Sequence, residues 1–214
     1  MLEDYLEAAK IVPVVVLDHA SDAVPLCGLL RKHGINIVEI TFRSSAAADA
    51  IALLRESYAD LIIGAGTVLK ESQVELAKRS GADFIVTPGI NIETLQACVR
   101  HDIPVIPGIS RPSDVELALN HGVELVKFFP AEASGGPTML KALLGPYPML
   151  RIMPTGGISL DNIRSYLDIP QVLACGGSWM VDRAAIFERR WVDIEQQIVL
   201  TQKFVSKIEA EVMA

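Results

Sequence analysis

Cysteine is scarce in this chain. Its three cysteines, Cys27, Cys98 and Cys175, are odd in number and far apart, with no CxxC pair. That argues against a disulfide framework and against a thiolate metal site. Histidine is equally thin. His19, His33, His101 and His121 fall in loops or near predicted helix ends, and no group of His and carboxylates has metal-ligand spacing, so no metal site is expected. Positive charge is in deficit, with 19 Lys and Arg against 26 Asp and Glu and a formal net charge of −7. The chain therefore offers no general surface for nucleic acid or an anionic membrane, and an anionic ligand requires a locally prepared site. No apolar run approaches the ~18 residues of a membrane span. The start, Met1 to Glu7, is acidic and lacks the basic-then-apolar order of a secretory leader, so the expectation is a cytoplasmic protein.

What the chain has in quantity is aliphatic surface. Half of its residues are hydrophobic, which is too much to remain solvated and excludes a disordered chain. At this length the expectation is one core and one domain, 1–214. Short runs rich in Val and Ile recur at 11–16, 36–41, 61–65, 83–87, 103–107, 123–129, 150–153 and 171–174, with starts 20–27 residues apart. Near-continuous apolar strands imply burial on both faces, as in a parallel sheet. Most gaps read as helices: 21–33 with Ser21 as N-cap, 45–57, 72–80 from Ser72, 113–121 from Ser113, 159–167 from Ser159, and a longer 191–212. Trp191, Ile194, Ile198 and Val199 share one face of the last, and this stripe and Trp179-Met180 read as packing.

Strand and helix alternating eight times without a linker point to an α/β fold, a (β/α)8 TIM barrel, with segment 1–10 as an extra helix ahead of the first strand. A doubly wound open sheet is the competing architecture. The chain is short against the ~250 residues typical of such barrels, so its loops must be tight.

In a barrel the chemistry sits at the C-terminal ends of the strands, and polar residues there carry the information. Lys127 lies mid-strand among Val126, Phe128 and Phe129. Lysine is rarely buried unless paired. One held in an apolar wall loses hydration of its ammonium, which favours the neutral, nucleophilic amine that an imine-forming lysine needs. The plainer reading is a lysine snorkelling outward, or a structural ion pair. Glu39 is the same anomaly in the second run, and if it points inward the two can meet across the mouth, where a carboxylate moves protons. Arg43, four residues on, has the planar fork that suits a carboxylate, or is an ordinary loop arginine. Gly156-Gly157 after the seventh run and Gly176-Gly177-Ser178 after the eighth match the usual barrel phosphate site, where glycines let backbone N–H groups approach phosphate oxygens and a following helix start adds positive potential.

The set Val12-Pro13-Val14, Val38-Glu39-Ile40-Thr41-Phe42-Arg43, Gly64-Ala65-Gly66-Thr67-Val68, Thr87-Pro88-Gly89, Ile106-Pro107-Gly108-Ile109-Ser110, Lys127-Phe128-Phe129-Pro130-Ala131-Glu132, Pro154 to Ser159 and Gly176-Gly177-Ser178-Trp179 resembles the bacterial 2-keto-3-deoxy-6-phosphogluconate (KDPG) aldolases, which often also cleave 2-keto-4-hydroxyglutarate (KHG). The segments span almost the whole chain in order. The resemblance implies a class I aldolase of the Entner–Doudoroff route, a homotrimer needing no cofactor, whose partners are pyruvate and a phosphorylated keto acid. It makes Lys127 the Schiff-base lysine and Glu39 the acid/base. Arg43 and Thr67 would hold the pyruvyl carboxylate, Pro88 and Phe129 would line the pocket, and Thr155 would contact the reacting hydroxyl region. Gly156, Gly157, Gly177 and Ser178 would bind the phosphate. Some relatives acting on related sugar acids carry a basic residue at the end of the first strand, where this chain reads Val16-Leu17-Asp18. Rival classes on a similar barrel are a phosphosugar isomerase or epimerase, a non-catalytic phosphometabolite sensor and a metal-dependent pyruvate aldolase.

Overall fold

The computed structural model describes residues 2–212, so Met1, Met213 and Ala214 of the expected 1–214 domain lie outside it. Helix α1 (Leu2–Ala9) leads into β1 (Ile11–Val15). There follow α2 (Ala23–Lys32), β2 (Ile37–Thr41), α3 (Ala47–Ser57), β3 (Ile62–Gly66), α4 (Glu71–Ser80), β4 (Phe84–Val86), α5 (Ile92–Arg100), β5 (Val105–Ile106) and β6 (Gly108–Ile109). The chain continues with α6 (Pro112–Asn120), β7 (Leu125–Phe128), α7 (Gly136–Leu144), β8 (Arg151–Ile152), α8 (Ile163–Leu167), β9 (Cys175–Gly177), α9 (Arg183–Phe187) and α10 (Trp191–Val212).

Every strand pairing is parallel. One sheet runs β5-β4-β3-β2-β1-β9 and a second runs β6-β7-β8. Only Pro107 separates β5 from β6, and isolated parallel bridges Ile152↔Val172 and Thr155↔Gly176 link the β8 and β9 segments. The result is an α/β fold whose parallel strands curl, with helices packed outside them. β2 and β7 are buried at every position, as strands covered on both faces must be.

Side chains alternate between two apolar bodies. Those pointing outward join the larger cluster under the helices, with Val38, Ile40, Ile63, Ile85, Val126 and Phe128. Those pointing inward form a separate plug of Val12, Ile37, Phe84, Val86, Ile106, Leu125, Met153, Leu173 and Ala174, closed by Leu6 of α1. Phe84 fits there because Gly64 on the neighbouring strand has no side chain; a Cβ on Gly64 would lie inside the ring. Each large residue so buried contributes about 1.5–3 kcal/mol.

Several expectations need correction. The eighth strand is Cys175–Gly177, not 171–174. Glycines that read as a turn are strand residues here, paired with Val12 and Pro13, because Thr155 and Trp179 fill the space their side chains would take. The fifth run breaks in two at Pro107, which has no N–H to give a ladder. Ser21 lies in a 3-10 turn, Ala20–Asp22, ahead of α2 and is not its N-cap, while α4 and α6 begin one residue before the expected starts Ser72 and Ser113. The helix expected from Ser159 starts only at Ile163. Helices α5, α7 and α9 are not among the expected ones, although Asn91 caps α5 by accepting a hydrogen bond from Thr94 N at 3.1 Å.

Candidate functional site

Two residues up each strand from the plug, the inward positions change character. Ile37 is followed by Glu39, Leu125 by Lys127, Met153 by Thr155, Val86 by Pro88 and Ala174 by Gly176. These upper positions line a cavity of about 540 Å³ at the C-terminal ends of the strands.

Lys127 and Glu39 meet at its inner end. They come from opposite parts of the sheet order, β7 and β2, and Lys127 Nζ donates to Glu39 Oε1 at 3.4 Å. Glu39 is 0% and Lys127 5% exposed. Removing two such ions from water costs several kcal/mol each, and only close, fully satisfied geometry recovers that cost. Here the contact is longer than the roughly 2.7–2.9 Å of a strong charge-assisted bond. Glu39 Oε2 is buried with no hydrogen-bond partner among the described residues. A pair so arranged recovers little of that cost, and both groups face the cavity. Its position depends on Gly66, where a Cβ would fall inside the Glu39 carboxylate. The Lys127 ammonium also lies 5.3 Å from the centre of the Phe129 ring, within range of the attraction between a cation and an aromatic face.

The remaining expected residues converge on the same cavity. Arg43, Thr67, Pro88, Phe129, Thr155, Gly156, Gly157, Gly177 and Ser178 all stand in its wall. Thr67 has φ of 56°, a left-handed conformation unusual for a residue with a Cβ. Thr155 Oγ1 is likewise buried and unpartnered among the described residues. Gly156 and Gly157 take φ of 103° and 79°, which glycine alone adopts readily. Gly156 O accepts from Glu132 N at 3.0 Å, tying this turn to the one after β7. Because α8 starts at Ile163, the expected helix start directly behind these glycines is missing, and their own backbone is what faces the cavity.

Sequence reasoning missed three polar side chains of the wall, Thr41, Asp182 and Arg183, besides apolar lining such as Val14, Val16, Ile158 and Val181. Thr41 donates to Val15 O at 2.8 Å and fastens β2 to β1. Asp182 and Arg183, after β9, complete the rim. Among the described residues no three His, Cys, Asp or Glu side chains gather as a metal site would, and no helix is long and apolar enough to cross a membrane.

Comparisons with known proteins agree on one family. Residues 2–197 match the family model for KDPG and KHG aldolase. A 2-dehydro-3-deoxy-phosphogluconate aldolase from Haemophilus influenzae is 56% identical over 189 residues, covering 88% of this chain and 89% of that protein. Among solved structures, KDPG aldolase from Legionella pneumophila, with pyruvate captured at low pH as a covalent carbinolamine intermediate, superposes with a TM-score of 0.89 at 38% identity, covering 92% of this chain and 96% of the other. The Zymomonas mobilis KDPG aldolase with 3-phosphoglycerate gives a TM-score of 0.81 at 32% identity, over 91% and 94% of the two chains.

Proposed function

The chain belongs to the KDPG and KHG aldolase family, and from that premise we propose that Lys127 and Glu39 carry out class I aldol cleavage in the cavity described. The enzyme is a lyase that cleaves 2-keto-3-deoxy-6-phosphogluconate to pyruvate and glyceraldehyde 3-phosphate. The observation that carries the mechanism is the buried, loosely paired Lys127–Glu39 couple at the inner end of the cavity.

The steps follow from those two groups. Lys127 Nζ attacks the C2 ketone, and the carbinolamine loses water to give a protonated imine. Glu39 takes the proton of the C4 hydroxyl as the C3–C4 bond breaks, and the electron pair flows into the imine to give an enamine. Glyceraldehyde 3-phosphate departs, C3 is reprotonated, and water releases pyruvate and the free lysine. The imine is the electron sink, so the lysine itself supplies the electrophile. Arg43 and Thr67 hold the pyruvyl carboxylate, Pro88 and Phe129 form the apolar walls, and Thr155 faces the reacting hydroxyl. Gly156, Gly157, Gly177 and Ser178 receive the phosphate. KHG, cleaved to pyruvate and glyoxylate, breaks the same bond and uses the same inner half.

The wider reading is a single (β/α)8 barrel domain over 1–214 with α1 as an additional helix. The two bridges between the β8 and β9 segments and the one-residue break at Pro107 support closure of the ring. A homotrimer in the cytoplasm is carried by the family resemblance, and sedimentation equilibrium checks the trimer. The mechanism is tested by reducing the enzyme with borohydride in the presence of pyruvate and mapping the product by mass. One three-carbon adduct per chain on Lys127 is expected. An adduct on Lys141 or Lys70, or none, overturns the assignment; unchanged ligand with no exchange of pyruvate methyl protons would indicate a sensor.

A further inference from the structure

Three cations reach the cavity wall: Lys127 deep inside, and Arg43 and Arg183 towards its mouth. The strand order separates the last two. Arg43 follows β2 and Arg183 follows β9, with β1 between them, so two ladder spacings, roughly 10 Å, lie between their strands. Arg183 is therefore on the side of Gly177 and Ser178.

Its partner comes from the loop that follows β1. Arg183 Nε donates to Asp18 Oδ2 at 3.0 Å and Nη2 to Asp18 Oδ1 at 2.5 Å, a two-pronged contact between planar groups. Arg183, in turn, holds the Asp18 carboxyl below its ordinary range. A guanidinium has more than one hydrogen-bonding edge. Asp18 occupies the Nε edge, and the Nη1 edge makes no hydrogen bond among the described residues. The neighbouring Asp182 does not compete for it through Oδ1, which accepts from Ala185 N at 2.9 Å. The result is a rim cation already oriented by one anion with an edge left for a second, so little side-chain freedom is lost when that second anion arrives.

We propose that Arg183 is a specificity-determining residue that binds the distal phosphate of the substrate through its Nη1 edge, and that Asp18 is the positioning residue that aims it. This rests on the phosphate assignment made above for Ser178 and the glycine turns. It also explains how a chain with an acid in the loop after β1 can hold a dianion at that end of the cavity: the cation is supplied from across the strand boundary. Phosphorylated substrates gain from it, and short unphosphorylated ones do not reach it.

The test is Arg183→Gln, assayed with KDPG and with 2-keto-4-hydroxybutyrate, together with inhibition by inorganic phosphate. A charge-assisted bond at a half-exposed rim is worth roughly a tenfold effect. KM for KDPG should rise about that much with kcat retained, phosphate inhibition should weaken in step, and the short substrate should be unaffected. Asp18→Asn should raise KM for KDPG by a smaller factor without touching the short substrate. An unchanged KM for KDPG in Arg183→Gln, or equal losses on both substrates, overturns the proposal and leaves the pair as a structural clamp. Ser178→Asp separates this from the underlying reading. If it still discriminates against KDPG, the phosphate site stands and only the Arg183 assignment falls. If it discriminates no more than wild type, the phosphate site itself is misplaced and the proposal falls with it.

Discussion

The interior of this protein holds two layers only two residues apart on the same strands. The lower one, from Leu6 through Ile37, Phe84 and Leu125 to Met153, is wholly apolar. The upper one contains Glu39, Lys127 and Thr155, with two buried oxygens that have no partner among the described residues. Both layers point inward and are reached by the same backbone, so the contrast owes nothing to secondary structure. It shows stability and chemistry assigned to adjacent positions of one alternating pattern: the plug supplies burial, and the layer above it retains groups whose hydration was lost without full compensation.

The sharpest break of that division is Lys127→Arg. A guanidinium keeps its charge and cannot form an imine, so cleavage measured by pyruvate release should fall to background while the urea midpoint moves little. Glu39→Gln comes next. An acid/base group contributes about 10²–10⁴-fold, and exchange of pyruvate methyl protons should slow by that order while some borohydride-trappable imine persists. Wild-type exchange in this variant would make Glu39 only an ion-pair partner. In the plug, Phe84→Ala should do the reverse, costing about 3–5 kcal/mol by urea unfolding with kcat per folded molecule nearly unchanged.

A double replacement compares the layers directly. Lys127→Met with Glu39→Gln removes both charges, and trading a buried pair for uncharged residues is often neutral or stabilising by about 1–4 kcal/mol. The inactive double variant should therefore unfold at equal or higher urea than wild type; a large loss of stability would mean the pair does hold the fold together. The smallest expected effect is none. Burial pushes the Cys27 thiol up to about 12 and Cys98 up to about 11, and raises Cys175 as well. All three thiols are buried, so native protein at pH 8 should leave Ellman's reagent unreacted, and all three should react in guanidinium.

Much of this division was legible before any coordinates. A charged residue within an apolar strand is a visible anomaly, and Lys127 and Glu39 announced themselves that way. The glycine turns and Arg43 stood out near strand ends, while Thr67, Pro88, Phe129 and Thr155 came only through the family resemblance. What escaped had physical reasons. Gly176 and Gly177 read as a turn because nothing local says that Thr155 and Trp179 will stand where their side chains would be. Arg183 carries no sequence signal at all, since its meaning depends on Asp18, 165 positions away. Helix α5 was missed despite a local signal: Asn91 is a favoured N-cap residue and Glu93 puts an acid in the first turn. Ser21 is not a cap because a 3-10 turn, Ala20–Asp22, precedes α2 and puts Asp22 at its N-cap position.

The plug also dictates traffic. With Leu6 and its neighbours packed beneath it, the cavity opens at the C-terminal ends of the strands, and the lysine is at its inner end. Whatever is tethered to that lysine blocks nothing behind it and is itself blocked by whatever lies in front. The two fragments of a cleaved substrate must then leave in a fixed sequence, the untethered outer piece first and the tethered inner piece last. In the reverse direction the queue inverts, with pyruvate entering first, so the proposed chemistry runs as an ordered rather than random kinetic scheme.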